Sequence, residues 1–264
     1  MIIAIDSSKC IGCSKCTKVC PLKVIEMNDQ GKAEAVRPNF CVRCAHCMSV
    51  CSNNAISTGF TESIPGRSTE NINVPTTEQV ENFMLTRRSI RAYLKKDVDR
   101  EKIERILRIA VHAPTARNAQ NVKFQVIGLD KVEELETIAH NYYRGQITDN
   151  IGVITREAGF KVLLGAPVTI ALYAEKSDKG NANEALWNCL IATQNLLLAA
   201  HGMGLGGCYN GLLLHAYRND FELQKFFNIA EDMEMYMFVE LGYPDPMIKY
   251  LKIIDRQKPN ILWK

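Results

Sequence analysis

Several features that would place this 264-residue chain in a specialised class are missing from its sequence. Its longest apolar stretches, around 163–174 and 189–200, fall well short of the roughly 20 residues that cross a bilayer. The chain does not start with a basic segment followed by an apolar core, so we expect no secretory signal. The formal charge is only +3 and forms no basic stripe, which argues against a nucleic-acid partner.

Familiar arrangements of catalytic side chains are missing as well. We find no Ser/His/Asp set, no pair of carboxylates and no P-loop for phosphate. Bound cofactors would therefore have to carry the chemistry, and we assign no catalytic side chain. Cysteine, by contrast, is abundant: ten occur in a chain that we expect to be cytoplasmic, where so many thiols indicate metal or redox chemistry rather than disulfides.

Eight of the ten cysteines lie in two runs of the same spacing, C-x2-C-x2-C-x3-C, and Cys41 follows Cys10 by 31 residues. Apolar residues repeat at the same offset, as at Ile5 and Val36. The sequence therefore predicts two copies of one small unit that share an apolar interior. The first run is Cys10, Cys13, Cys16 and Cys20, and the second is Cys41, Cys44, Cys47 and Cys51.

This spacing favours iron–sulfur clusters, because a tightly wound loop can direct three thiolates and its backbone N–H groups at one cluster. Zinc sites usually pair two separated C-x2-C knuckles, and disulfide scaffolds belong to secreted proteins. Both remain as less favoured alternatives. Residues 1–60 also hold seven basic side chains against four acidic ones, and thus the whole net charge, which negatively charged clusters would offset.

Residues 1–60 resemble the bacterial two-cluster ferredoxins, with Ser52 where a proline usually follows the second run. In those proteins the fourth cysteine of each run ligates the other cluster. The resemblance therefore implies two [4Fe–4S] clusters with crossed ligand sets. One set is Cys10, Cys13, Cys16 and Cys51, and the other is Cys41, Cys44, Cys47 and Cys20.

A second domain is predicted over 77–264, after a linker over 61–76 that is rich in Gly, Pro, Ser, Thr and Asn. Helical periodicity begins near Thr76, where Gln79 completes a possible capping box, and again at Asp99. A long helix is predicted over 183–201, and strands over 123–129, 167–174 and 233–241. Helices with a few strands between them indicate an α+β domain. We expect the two remaining cysteines, Cys189 and Cys208, to be buried apolar groups.

Three motifs in this second domain resemble the FMN-dependent nitroreductase family. They are LTRRSIR at 85–91, APTARNAQ at 113–120 and AAHGMGLGGCYNG at 199–211, in the family's order and approximate spacing. The resemblance implies an oxidoreductase with a three-layer α+β fold. It also implies a homodimer that binds FMN at the subunit interface.

The chemistry of FMN suits the residues in these motifs, because arginine forms charge-assisted bonds to phosphate. The resemblance places two side chains near the flavin pyrimidine edge, Asn118 and, less strongly, Gln120. It places the main-chain N–H groups of Asn210 and Gly211 at flavin N5 and O4. The candidate phosphate ligands are Arg87, Arg88, Ser89, Arg91, Arg256 and Lys258.

These features predict an oxidoreductase that passes electrons through two [4Fe–4S] clusters and FMN to an organic acceptor, such as a nitroaromatic or quinone-like compound. Reduced ferredoxin and NAD(P)H are the candidate donors. One alternative is a reductase of a specific metabolite such as an activated alkene, and another is a non-enzymatic electron carrier. We expect a cytoplasmic homodimer with no nucleic-acid or membrane partner.

Overall fold

The computed structural model describes residues 2–62, 69, 72–145, 159–176, 183–254 and 259–263. The chain divides into two compact units, Met1–Val74 with Arg117–Ala119, and Pro75–Ala116 with Gln120–Lys264. Within the described ranges, no helix combines the length and apolar character needed to cross a membrane.

The N-terminal unit is built twice from the same parts. Strand β1 pairs antiparallel with β4, and β2 pairs antiparallel with β3. The second half repeats the first near the 31-residue offset of the cysteines, so the repeat in the sequence is also a repeat in the structure. The elements are β1 (Ile3–Ile5), α1 (Lys15–Val19), β2 (Ile25–Met27), β3 (Ala33–Ala35), a 3-10 turn (Pro38–Phe40), α2 (His46–Ser49) and β4 (Ile56–Thr58).

Backbone conformation follows the repeat closely. Ser14, with φ 57°, and Ala45, with φ 58°, are left-handed residues that begin the two short helices. Ser52 lies in a turn, as does its counterpart Pro21, so the missing proline does not remove the turn. The predicted shared interior is present as one cluster of buried residues, Ile3, Cys16, Val24, Ile25, Ala33, Cys47 and Ile56.

The second unit is organised around one antiparallel sheet in the order β5-β6-β8-β7. Its strands are β5 (Lys123–Ile127), β6 (Val168–Glu175), β7 (Gly206–Tyr209) and β8 (Met233–Gly242). Its helices are α3 (Thr77–Thr86), α4 (Arg100–Ala110), α5 (Leu129–Gly145), α6 (Glu184–Gly202), α7 (Gly211–Asn219) and α8 (Phe221–Phe227).

Helices cover both faces of this sheet, which gives the predicted three-layer α+β fold. Alternate residues of β6 and β8 point to opposite faces, as the pleat of a strand requires. Ile170 and Val239 join the core with α4 and α6, whereas Ala171 and Phe238 join the core with α5, α7 and α8. The predicted strands and long helix are confirmed.

Helix α3 begins with the predicted capping box. The Gln79 N–H donates to Thr76 Oγ1 at 3.2 Å, and the Thr76 N–H donates to Gln79 Oε1 at 2.9 Å. This reciprocal pair satisfies two backbone donors that a helix start leaves without partners. The capping box fixes the start of the helix, which ends at Thr86, one residue before Arg87.

Candidate functional site

Each predicted cysteine set lines a cavity of its own in the N-terminal unit. Cys51 lies with the first three cysteines of the first run, and Cys20 lies with the first three of the second run. Each cavity encloses ≈ 390 Å³, its opening to solvent included. The fold thus brings together the two crossed ligand sets that the sequence predicts.

Backbone N–H groups point at sulfur atoms in both cavities, and the donors to Cys20 and Cys51, Val24 and Ala55, occupy equivalent positions of the repeat. Such donors favour a thiolate, which is the form that binds iron. Two backbone hydrogen bonds, the larger from Ala33, lower the pKa of Cys10. The donor and sulfur pairs are Val24 to Cys20 at 3.3 Å, Ala55 to Cys51 at 3.3 Å, Ala33 to Cys10 at 3.5 Å and Arg43 to Cys41 at 3.4 Å.

The innermost thiols require a positive partner to ionise. Burial raises the pKa of Cys16, and it raises the pKa of Cys47 to about 11. Bound iron supplies the positive charge that holds a ligating thiol in its deprotonated form. All ten cysteines are free thiols in the structure, so it gives the disulfide alternative no support. In the described residues no three potential ligands lie close enough to share a single metal ion.

In the second unit, the segment that follows α3 runs beside strand β7. Ser89 forms a parallel bridge with Gly207, and the Ile90 N–H donates to the Gly207 carbonyl oxygen at 3.2 Å. The approach is close because β7 begins with two glycines. A Cβ on Gly206 would lie 2.5 Å from Ile90 Cγ1, and one on Gly207 would lie 2.5 Å from Leu197 Cδ2. The glycines therefore let the arginine-bearing segment lie against the strand edge.

Three of the predicted phosphate ligands act on one point of β7, the thiol of Cys208. Burial raises the pKa of Cys208, while the charges of Arg91 and Arg87 and a hydrogen bond with the Ser89 side chain oppose that rise. Cys208 is itself buried, with 3% of its surface exposed, as predicted. Two guanidinium groups and a hydroxyl group thus converge at this edge of the sheet.

Arg88 has a different role in the structure. Its Nη1 donates to the carbonyl oxygens of Leu85, at 2.6 Å, and Arg87, at 3.1 Å, and its Nη2 donates to that of Lys252 at 3.5 Å. Carbonyl groups at a helix end lack intrahelical partners, so Arg88 caps the end of α3. Its binding to phosphate remains a prediction.

Asn210 corrects one prediction. Its main-chain N–H donates to the Phe238 carbonyl oxygen at 2.9 Å, so the sheet uses the donor that we expected to face the flavin. Its side-chain Oδ1 accepts from the Leu213 N–H at 2.9 Å and caps α7. Gly211 is the first residue of that helix, where N–H groups lack intrahelical partners, and its predicted role is unaffected.

A buried carboxyl group, which we did not predict, lies beside Asn210. Glu240 is fully buried and accepts hydrogen bonds from Thr169 Oγ1 and Asn210 Nδ2, both at 2.7 Å. Burial raises its pKa to about 8, against the opposing effect of the two hydrogen bonds. A sequence signal did exist, because Glu240 follows Phe238 by two residues in a strand and therefore lies on the same covered face of the sheet.

The motif at 113–120 adopts an unusual backbone conformation. Asn118 and Gln120 both have positive φ, at 55° and 48°. The Asn118 side chain belongs to the N-terminal unit, where its Nδ2 donates to the carbonyl oxygens of Val42 at 3.1 Å and Arg43 at 2.9 Å. The Gln120 N–H donates to Thr115 Oγ1 at 3.0 Å. Placement of either side chain at a flavin remains a prediction.

Residues 84–243 match the model of the Nitroreductase family, and residues 2–52 match that of the 4Fe-4S dicluster domain. The chain belongs to the nitroreductase family. An N-terminal 4Fe-4S dicluster domain precedes the nitroreductase part, so the zinc alternative for the cysteine runs is not supported.

Three relatives illustrate the two parts of this nitroreductase. A protein of Archaeoglobus fulgidus, provisionally named an NADH dehydrogenase/NAD(P)H nitroreductase, is 30% identical over 184 residues, 69% of this chain and 95% of its own length. An uncharacterised ferredoxin of Methanocaldococcus jannaschii is 38% identical over 56 residues, 20% of this chain and 73% of its own. A crystal structure of an FMN-bound nitroreductase from Bacteroides fragilis, 21% identical, shares the fold with a TM-score of 0.60 and covers 70% of this chain and 98% of its own.

The predicted site residues of this nitroreductase thus fall into distinct groups. The eight cysteines form two cavities, and Arg87, Ser89 and Arg91 converge beside β7. Arg88 and Asn210 have internal partners. Arg256 and Lys258 lie outside the described residues.

Proposed function

We propose that this chain is an FMN-dependent reductase that takes up single electrons through two [4Fe–4S] clusters and delivers reducing equivalents to a small organic acceptor. The observation that carries the proposal is the presence, in one chain, of two cavities lined by four cysteines each and a nitroreductase domain. FMN in the B. fragilis structure of the same fold supports FMN as the cofactor. The clusters supply one-electron transfer, and FMN exchanges one or two electrons.

The edge of β7 offers what a flavin phosphate needs. Arg87 and Arg91 are cations that form charge-assisted bonds, and Ser89 adds a hydroxyl donor. The glycine-rich start of β7 lets backbone approach a planar ring, and Gly211 at the start of α7 directs its N–H toward the flavin. In this proposal these residues hold and orient FMN, and Asn118 or Gln120 contacts its pyrimidine edge.

Exposed apolar residues support a homodimer. The α3 side chains of Phe83 and Met84 are 37% and 53% exposed, and on α6 Trp187 is 53% and Ile191 42% exposed. Apolar faces of this kind usually mark an interface. We propose that a second copy covers them. The cysteine ligands also need a reducing compartment, which favours the cytoplasm.

Anaerobic purification followed by cofactor analysis tests the assignment of the cofactors. We expect about eight iron and eight sulfide per chain, as two [4Fe–4S] clusters require, and one non-covalent FMN. Stoichiometric zinc without visible charge-transfer absorption would contradict the clusters. A colourless second domain that does not bind added FMN would contradict the flavin.

A screen of donors against acceptors tests the reaction. Reduced ferredoxin, NADH and NADPH are combined with a nitroaromatic compound, a quinone and an activated alkene. Turnover with several nitroaromatic or quinone acceptors supports the proposed reductase. Turnover restricted to an alkene would support the specific-metabolite alternative, and cofactor reduction without turnover of any acceptor would support an electron carrier.

A further inference from the structure

The two cluster loops share a fold but differ in the number and position of their exposed basic side chains. The second loop carries Arg43, at the position of Gly12, whereas the first carries two lysines in α1. Lys15 and Lys18 are exposed on and beside the first loop, within helix α1. At the offset of the repeat, the equivalent residues of the second loop are His46 and Ser49 in α2. A third exposed lysine, Lys9, pairs with Asp6 at 3.5 Å, whereas Lys15 and Lys18 take part in no ion pair that the described residues show.

These lysines are not required to hold a cluster. The second loop builds a cysteine-lined cavity of the same size without them. It also directs an N–H at the fourth cysteine of its run at the same 3.3 Å distance as the first loop does. Because one copy of the unit forms its cavity without lysines, the lysines of the other copy are not explained by the cavity alone.

An exposed apolar side chain lies beside the predicted cluster in the same loop, where Ile11, Cys13 and Lys15 line one cavity. Ile11 is 64% exposed, and its neighbour Cys13, a predicted ligand, is also exposed. The equivalent residues of the second loop, Val42 and Cys44, are only partly exposed. The first loop thus presents a cluster ligand and an apolar side chain at the surface, with positive charge around them.

We propose that the face formed by Ile11, Cys13, Lys15 and Lys18 is the docking surface for an acidic one-electron carrier protein. An apolar centre with a charged rim is the usual composition of an interface, and redox partners use small ones. Opposite charge steers such partners into contact. In the transfer, one electron leaves the carrier and one enters the cluster held at this loop, with no bond or proton changed. This inference rests on the proposed function, because it requires the clusters to be present.

The repeat provides a matched control. The double variant K15Q/K18Q removes two positive charges from the first loop, and H46E/S49E makes the same change in net charge at the equivalent positions of the second. The probe is an acidic two-[4Fe–4S] ferredoxin. In its reduced form it is used to measure the rate of cluster reduction by stopped flow. In its oxidised form it is used to measure equilibrium binding by calorimetry. We expect K15Q/K18Q to lower the second-order rate about tenfold at low ionic strength, to weaken binding and to flatten the salt dependence. H46E/S49E should stay within about twofold of wild type.

Methyl viologen radical distinguishes a failure of the docking surface from a failure of the proposed function. It is a small one-electron donor that needs no docking surface, so it should reduce the clusters of both variants no more slowly than those of wild type. Wild-type protein without iron and sulfide would overturn the proposed function itself. Clusters that respond to methyl viologen, combined with unchanged ferredoxin kinetics in K15Q/K18Q or an equal loss in H46E/S49E, would overturn the docking surface alone.

Discussion

Individual side chains at the edge of β7 are the proposed ligands of the FMN phosphate. Arg87, Ser89 and Arg91 lie near Cys208, whereas Arg88, next to them in the chain, donates to carbonyl oxygens at the end of helix α3. Neighbouring arginines of the same motif therefore have different roles. Only the structure separates them, because the sequence gives all of them the same charge and nearly the same place.

Arg87→Ala tests the phosphate role directly. FMN binding should weaken about 10- to 100-fold, since a hydrogen bond to a charged group contributes about 1.5–3 kcal/mol. Riboflavin, which lacks the phosphate, should bind with nearly unchanged affinity. Quenching of flavin fluorescence by the apoprotein measures both, and Arg88→Ala is the control, with a smaller effect on FMN. An equal loss of affinity for both flavins in Arg87→Ala would show that this arginine does not bind phosphate.

Glu240 predicts how stability depends on pH. Its pKa is about 8 in the folded chain and 4.5 for an exposed glutamate, chiefly because of burial. The folded chain therefore keeps a proton that the unfolded chain releases between these values. Its contribution to stability is complete below about pH 4.5 and is lost as the pH rises through about 8.

Glu240→Gln should flatten this dependence, because the amide has the same shape and cannot ionise. Urea unfolding at about pH 5, 7 and 9 compares the two proteins, and wild type should lose on the order of a few kcal/mol more than the variant across that range. An identical loss in both would mean that Glu240 is not the titrating group.

The residues that could be predicted from sequence are those whose spacing is itself the signal. The spacing of the cysteines in each run predicts which of them lie together. In the structure, Cys20 lines a cavity with cysteines of the second run and Cys51 lines one with cysteines of the first. The Asn210 main-chain N–H could not be placed in this way, because its partner Phe238 is set by the position of β7 beside β8. A contact between strands that lie far apart in the sequence cannot be predicted from a local residue pattern.

At the scale of elements, the short strand β7 lies beside the segment that carries Ser89 and Ile90. The long helices and strands were predictable from apolar periodicity, and α3 from its capping box. β7 was not, because a glycine-rich strand has no side-chain alternation to detect. Its glycines instead leave room for two neighbouring side chains. Ile90 packs against Gly206, and Leu197 packs against Gly207.

Gly206→Ala should displace Ile90, and with it the segment that carries Ser89 and Arg91. Overpacking of this kind costs about 1–3 kcal/mol, so we expect lower thermal stability and weaker FMN binding together. Gly202→Ala is the matched control, since its new methyl would meet the Phe83 ring at an ordinary 3.5 Å within a helix that favours alanine. FMN binding in Gly206→Ala that equals wild type would show that the arginine segment does not depend on this contact.

At the scale of the whole molecule, the chain joins a 4Fe-4S dicluster domain to a nitroreductase domain. The sequence predicted this pairing from the cysteine runs and the three motifs. The sequence could not indicate that Ile11 of the first loop is more exposed than its counterpart Val42 of the second. The exposure of a side chain depends on the completed fold. In the proposed function the parts are joined because clusters pass single electrons to the flavin, whereas a hydride donor reacts at the flavin itself and needs no cluster.

Electron entry through the clusters is the central claim, and anaerobic rapid mixing tests it most directly. Bleaching of the flavin absorption by reduced ferredoxin is followed in wild type and in a C13A/C44A variant, which lacks one ligand from each cysteine set and is matched for bound FMN. We predict fast bleaching in wild type and a loss of at least about 100-fold in the variant, with equal rates for any bleaching by NAD(P)H, whose hydride enters at the flavin itself. Equal rates from reduced ferredoxin in the two proteins would contradict the account.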